Sequence, residues 1–295
     1  MLKQQIRQIV QANPDYAAIT PVIEKEILHH DIMDVLIKHG AMQRLTFIGG
    51  TSLRMCYNSA RLSEDLDFNG GYNFKPADFN GLESEIQTYI QNKYETDVWV
   101  SKPADDTQGD TTSWKISISK APNRPDLPRQ KMHIDVCAIP SFDVEKRPLL
   151  NHYNTVVPTE GILVPVQSMQ EILADKFIAL AYRARRIKPR DIWDIVWIKQ
   201  RGVALSKALV EKKLAARHKQ LNDFRQALPH QLDKLTQDEA RNDFSMEMSR
   251  FIPQKIKTRT LDNPEYWAYV QTEVRAMTSM LLSDSAPKNK FDMGL

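Results

Sequence analysis

Several features are scarce in these 295 residues, and each scarcity excludes something. There are only two cysteines, Cys56 and Cys137. Neither belongs to a C-x-x-C pair, so a disulfide framework and a thiolate zinc site are both excluded. Both are expected to be buried, reduced thiols, as suits a cytoplasmic protein. Seven histidines are scattered without zinc spacing; His29 and His30 are adjacent and would point away from each other on a helix. No run approaches the roughly 20 apolar residues that a membrane helix needs. The segment Met1–Tyr16 carries charges but no apolar core of a secretory signal. No membrane association is therefore expected. Net charge is also small, with 40 Lys and Arg against 37 Asp and Glu.

That small total hides an uneven distribution. From Lys176 to Thr260 there are 20 Lys and Arg against 9 Asp and Glu, a net of +11; the rest of the chain carries −8, for the total of +3. An acidic front half and a basic back half suit a protein that holds metal with one part and a polyanion with the other.

Apolar periodicity divides the chain the same way. Ile23, Ile27, Ile32, Val35 and Leu36 mark a helix over Pro21–Gly40. Leu45–Ile48 is a short apolar run closed by Gly49-Gly50, expected as a buried strand entering a tight turn. A short helix is expected over Thr51–Asn58, capped by Thr51. A second strand alternates Leu66 and Phe68 with Asp65, Asp67 and Asn69. An amphipathic helix is expected over Pro76–Tyr94. Alternating strands then cover Thr96–Val100, Trp114–Ile118 and Met132–Ala138, joined by hairpin loops at Lys102–Asp110 and Ala121–Arg129, with a further strand at Ile162–Val166. After Ser168 the pattern is helical. Ser168 and Glu171 form an S-x-x-E capping box for a run to Arg186, and Pro189 opens Arg190–Arg201. Further helices are expected at Leu205–Arg217, Asp238–Phe251 and Pro264–Leu282, with a frayed tail at Ser283–Leu295. The class is α+β: a mixed-sheet lobe over residues 1–165, then a helical, basic, substrate-binding lobe over 166–295.

One constellation carries chemistry. Side chains two apart on a strand project to the same side, so Asp65 and Asp67 stand together. Carboxylates that close raise each other's pKa unless a cation lies between them. Ligation by a few carboxylates, completed by substrate phosphates, is the magnesium pattern. A third carboxylate, Asp135, lies within an apolar strand, where a charge is costly unless paired or metal-bound. Two metals held by Asp65, Asp67 and Asp135 would stabilise the attacking and leaving oxygens of a phosphoryl displacement. Gly49 and Gly50, without Cβ atoms, let a phosphate approach the backbone N–H groups of the following helix. Thr51 and Ser52 add hydroxyls there. Arg61 is expected near the phosphates and Ser63 at the mouth of the site. Trp114, Trp193, Trp197 and Trp267 are read chiefly as core, with base stacking as the alternative.

The string GGTSLRMCYNSARLSEDLDF resembles the signature of the AbiEii toxin family of nucleotidyltransferases, which includes the MenT toxins and shares the DNA polymerase β-type nucleotidyltransferase fold. The resemblance covers roughly residues 40–200. It implies that Lys176 contacts the nucleotide phosphates, and that Asp191, in the K-x-R-D-x-x-D stretch from Lys188, orients that lysine or activates the attacking hydroxyl. Asp194 shares that reading and is not separable from Asp191 here. In some relatives the serine at the Ser63 position receives an inhibiting phosphate from a partner antitoxin, which would place two negative charges beside Asp65. The function implied is magnesium-dependent transfer of a nucleoside monophosphate from a nucleoside triphosphate to an acceptor hydroxyl, the tRNA 3′ end above others. The chain would then be the toxin of a toxin–antitoxin pair, with a cognate antitoxin as partner. Transfer to a protein or to a small molecule such as an aminoglycoside, and a non-catalytic nucleotide-binding regulator, stay open as alternatives.

Overall fold

The computed structural model describes residues 2–103, 110–119, 126 and 128–283. The two expected hairpin loops and the expected tail lie largely outside these residues. Helix α1 (Leu2–Ala12) leads into α2 (Thr20–Lys38), then come β1 (Thr46–Ile48), α3 (Gly49–Tyr57), β2 (Leu66–Asn69), α4 (Leu82–Tyr94), β3 (Val98–Ser101), β4 (Thr111–Ile118), β5 (Gln130–Cys137), β6 (Val144–Pro148) and β7 (Leu163–Gln167). The remainder is helical: α5 (Met169–Tyr182), α6 (Pro189–Gln200), α7 (Lys207–Ala216), α8 (Leu221–Lys234), α9 (Asp238–Met248), α10 (Gln254–Arg259) and α11 (Tyr266–Leu282). The class is α+β, as expected.

The seven strands form one sheet in the order β3-β4-β5-β2-β1-β7-β6. At its centre β2 runs antiparallel to β1 and parallel to β5. In that register Asp67 is paired with Asp135 on one side and Ile48 on the other. Alternation along β4 and β5 sends Trp114, Ile116, Met132, Ile134 and Val136 into the core. One buried apolar cluster runs from Leu28 on α2 to Leu281 on α11. It crosses residue 165, which lies inside β7, because β7 feeds directly into α5.

Four local departures have physical causes. The helix expected from Pro76 is broken, with a 3₁₀ turn over Pro76–Phe79 and the α-helix starting only after Gly81, whose φ of 87° is left-handed. Strand β6 was not expected, since Val-Glu-Lys-Arg-Pro has no apolar alternation; it is an edge strand, where Pro148 costs no ladder bond within the sheet. Helix α8 has no separate expected bounds within the helical pattern after Ser168; it carries Pro229 internally, and Phe224 and Leu228 anchor it in the core. Helix α5 ends at Tyr182 rather than Arg186, and the carbonyl of Arg183 accepts from Gln231 at 2.9 Å.

Ser168 caps α5 by accepting from the backbone N of Glu171 at 3.1 Å, but the reciprocal half of the box is absent. The Glu171 carboxylate instead accepts from the backbone N of Phe142 and Asp143, at 2.9 and 2.6 Å, and from Lys213 at 2.8 Å. Both charged side chains are 0% exposed, and Lys213 also reaches Asp175 at 2.9 Å. This cluster fastens α5 and α7 to the sheet. Removing one partner leaves a buried charge uncompensated, so Lys213→Ala is expected to lower stability by about 3–5 kcal/mol, read as a shift in the urea midpoint at unchanged m-value.

Candidate functional site

Three carboxylates gather at the ends of β2 and β5. Asp65 immediately precedes β2, and its Oδ1 accepts from the backbone N of His133 at 3.0 Å, with the His133 ring Nδ1 at 3.1 Å. Asp135 accepts from the Ser113 hydroxyl at 2.5 Å. Asp67 lies between them, and its carboxyl is pushed up from 3.8 to about 7 by burial and by the neighbouring Asp135 and Asp65 charges, against the pull of Lys176 and Lys188. Among the described residues, no group of three or more His, Cys, Asp or Glu side chains forms a ready-made metal cage. Magnesium does not require one, since it keeps several waters and binds through one or two carboxylates plus substrate phosphates. The donor set fits that requirement: hard oxygen ligands crowded until one carboxyl resists ionising.

The glycine pair sits differently from expectation. Gly49 and Gly50 are the first residues of α3 rather than a turn before it, and Ile48 is the cap position. Thr51 does not cap; its hydroxyl donates to the carbonyl of Asp65, so it ties α3 to the carboxylates. The Ser52 hydroxyl donates to the carbonyl of Gly49 at 2.9 Å. Both glycines are required by space. A Cβ on Gly49 would lie 2.8 Å from Asp67 Oδ2, at a left-handed φ of 76°. A Cβ on Gly50 would collide with the Arg61 guanidinium and come 3.2 Å from the Ser63 hydroxyl. The N-terminus of α3 thus abuts the carboxylates, where its free N–H groups favour an anion.

Behind them lies a buried charge cluster. Arg61, 2% exposed, grips Asp194 with two hydrogen bonds, Nε to Oδ1 at 2.9 Å and Nη2 to Oδ2 at 2.8 Å, and donates through Nη1 to the Leu62 carbonyl. It is held there, not extended into open solvent. Lys176 on α5 reaches Asp194 at 2.9 Å and Asp191 at 2.8 Å. Burial disfavours its charge, but Asp191 and Asp194 outweigh that and hold its pKa above the usual lysine value. Burial likewise opposes ionisation of Asp191, yet Lys176 and Arg183 hold its carboxyl well below the carboxylate range. The two aspartates that the sequence leaves unseparated are therefore distinct. Asp194 bridges Arg61 and Lys176 in full burial, whereas Asp191 bridges Lys176 and Arg183 nearer the surface.

A cleft of about 270 Å³ opens beside this cluster, lined by Arg183, Arg186, Lys188, Arg190 and Arg250 against Glu64 and Glu247, with Phe251. Burial and then Arg190 push the Lys188 ammonium pKa down. Arg183 sits seven residues after Lys176, a spacing that puts both on one helical face; His133, Arg186 and Arg250 have no motif to mark them, and only the fold gathers them. Ser63 is buried behind Gly50. Trp114, Trp193 and Trp197 are core. Cys56 is buried and Cys137 half-buried, and both are unpaired.

With that geometry in place, similarity to known proteins can be weighed. The sequence profile of one family, described as nucleotidyl transferase AbiEii toxin, type IV TA system, matches residues 31–272. No curated protein is similar enough to match. Among solved structures, the chain is similar to MenT4, a nucleotidyltransferase toxin from Mycobacterium tuberculosis H37Rv, at 17% identity and a TM-score of 0.55, covering 95% of this chain and 90% of that one. A putative nucleotidyltransferase from H. pylori matches at 14% identity and a TM-score of 0.45, over 88% of this chain and 95% of that one.

Two outcomes follow from the charges alone. Asp194→Asn leaves the buried Arg61 without its counter-ion and is expected to cost about 3–5 kcal/mol; Asp191→Asn is expected to cost less, because Lys176 keeps Asp194 and Arg183 can turn to water. Urea unfolding of the two variants checks the order. The second outcome concerns pH. Asp67 has a folded pKa of about 7 against 3.8 for the free group, so between those values the folded state holds a proton that the unfolded state has lost. Metal-free protein therefore loses stability as pH rises from about 4 to 7 relative to Asp67→Asn, and the loss persists above 7. Stability measured against pH for both proteins tests this; parallel profiles would refute it.

Proposed function

The chain belongs to the AbiEii family of nucleotidyl transferase toxins of type IV toxin–antitoxin systems, and from that premise we propose that it transfers a nucleoside monophosphate from a nucleoside triphosphate to a hydroxyl of RNA, the tRNA 3′ end foremost. The carrying observation is the abutment of two opposite environments. Asp67, beside Asp135 in the sheet, meets the start of α3 at Gly49, and it feels the charge of Lys188, which lines the cleft of five cations.

In this reading Asp65, Asp67 and Asp135 hold Mg²⁺. When bound, the metal neutralises triphosphate charge and draws electron density from the α-phosphorus. The chain's own groups do the rest. The backbone N–H groups at the start of α3 receive the triphosphate; the two glycines let that helix start press against Asp67 and Arg61. Lys176 presents a fixed positive charge, kept protonated by Asp191 and Asp194. Asp191, with its depressed pKa, is a poor proton acceptor and serves to hold Lys176 and Arg183 in place. Arg61 and Ser63 shape the wall behind Gly50. The acceptor oxygen attacks the α-phosphorus in line; a P–O bond forms, the bond to the bridging oxygen breaks, and pyrophosphate leaves. The hydroxyl proton passes to a site carboxylate or to water. Positioning and charge supply the rate, with little covalent work asked of the protein.

The net +11 of Lys176–Thr260 favours RNA over a cationic drug, since phosphate contacts dominate affinity for nucleic acid. A cytoplasmic site of action and a cognate antitoxin complete the proposal. Incubation with magnesium, total tRNA and each α-labelled nucleoside triphosphate tests it. Label is expected on tRNA with the natural chain, and at least about a hundredfold less with Asp65→Ala or Asp67→Ala. Label on a protein or small acceptor would keep the chemistry and overturn RNA as acceptor. Bound nucleotide with no transfer would favour a regulator.

A further inference from the structure

The basic cleft beside the carboxylates does not end there. Arg186 lines that cleft and also a neighbouring cavity of about 100 Å³ between α6, α8 and α9. Phe244 and Trp267 line this second cavity and a third, of about 400 Å³, between α9 and the start of α11. Neighbouring cavities thus share walls at Arg186, Phe244 and Trp267, and their chemistry changes from one to the next. Cations dominate near the carboxylates. At the far end stands a group of rings: Phe244 and Trp267 with centroids 5.1 Å apart, Trp193 and Tyr266 at 6.1 Å, and Tyr266 and Tyr269 at 6.1 Å.

These rings are not all core. Phe244 is buried, but Tyr266 and Trp267 are half-buried and Tyr269 is exposed. The third cavity is otherwise polar, with Asp238, Arg241, Asn242 and Asn263 on its rim. Its volume falls in the range of small-ligand pockets, roughly 300–1,000 Å³. Half-buried rings with hydrogen-bonding groups around them, reached by a cationic path, are what a single-stranded nucleic acid needs. Its phosphates follow the cations, and an unpaired base stacks on an aromatic face.

We infer that this path is the seat of the acceptor strand, with Trp267 and Tyr266 stacking a nucleobase of single-stranded RNA some distance from the hydroxyl that reacts. The inference rests on the reading of RNA as the acceptor and adds to it a recognition subsite outside the nucleotidyl-transfer centre. Arg183, Lys188 and Arg186 carry the phosphates between the two, and Arg186 exchanges Asp243 and Glu247, now 3.2 and 3.6 Å away, for phosphate when the strand binds. A stacked base fixes the register of the strand, and so which hydroxyl meets the carboxylates.

The test is the affinity of the full chain for a fluorescent single-stranded oligoribonucleotide of about six nucleotides, read by anisotropy in the absence of nucleoside triphosphate. Trp267→Ala is expected to weaken binding by about tenfold or more, the scale of one lost base–aromatic stack, while Trp267→Phe keeps most of it. Arg241→Ala, on an exposed side chain unlinked to the core, is expected to weaken binding too, and its effect should shrink as salt rises. This second variant decides the matter should Trp267→Ala fold poorly. Affinities equal to that of the natural chain in Trp267→Ala and Arg241→Ala would overturn the inference. Failure of the RNA-acceptor reading is separately visible, because the natural chain would then place no label on tRNA. Label on tRNA together with unchanged oligonucleotide affinity in both variants would sink the subsite alone.

Discussion

Two charges removed from water must find each other, and here Arg61 and Asp194 do so across 133 residues of sequence. Arg61 lies in the loop before β2; Asp194 lies on α6. Their two-pronged contact, fully buried, fixes the helical part of the chain against the sheet at the level of the candidate site. A buried pair is weak evidence of net stability, because desolvation offsets attraction. What it supplies is geometry. A planar guanidinium accepts a carboxylate in one orientation, and that orientation brings Lys176 to Asp194 and Asp191, and Arg183 to Asp191.

Other features follow from the same placement. The Arg61 guanidinium lies where a Cβ of residue 50 would be, so Gly50 is demanded by a side chain. Gly49 is demanded in turn by Asp67. The start of α3 can then press against the carboxylates, with the Thr51 hydroxyl fastened to the Asp65 carbonyl. The crowding that raises the Asp67 pKa is the counterpart of this packing. Burial and the neighbouring Asp135 and Asp65 carboxylates together hold the Asp67 proton to higher pH.

Much of this was legible in the residues. Asp65 and Asp67 share a side because strand period is two, and Asp135 stood out as a charge within an apolar run. The Lys188–Asp194 stretch drew attention through resemblance. Other features were not legible, each for a physical reason. Glu171 looked like half of a local capping box, but its carboxylate bonds to the backbone of Phe142 and Asp143 and to Lys213, partners that only tertiary packing supplies. That Arg61 pairs with Asp194 was not legible either, because the partner lies on a distant helix. The bounds of α8 were not marked, because Pro229 inside it and few apolar residues leave only Phe224 and Leu228 to fix it by packing. His133, Arg186 and Arg250 belong to no short-range pattern.

The sequence by itself determined the α+β class, the order of strands and helices around the glycine pair, and the identity of the carboxylates, because period, glycine placement and strand polarity are local properties. The tertiary structure alone decided which charges are partners. It separated Asp194 from Asp191, buried Arg61 against Asp194, and brought Arg183, Arg186, Lys188, Arg190 and Arg250 to one cleft. Electrostatic pairing and stacking act through space over a few ångströms, and the distance along the chain between two residues says little about the distance between their side chains once the sheet and helices have packed.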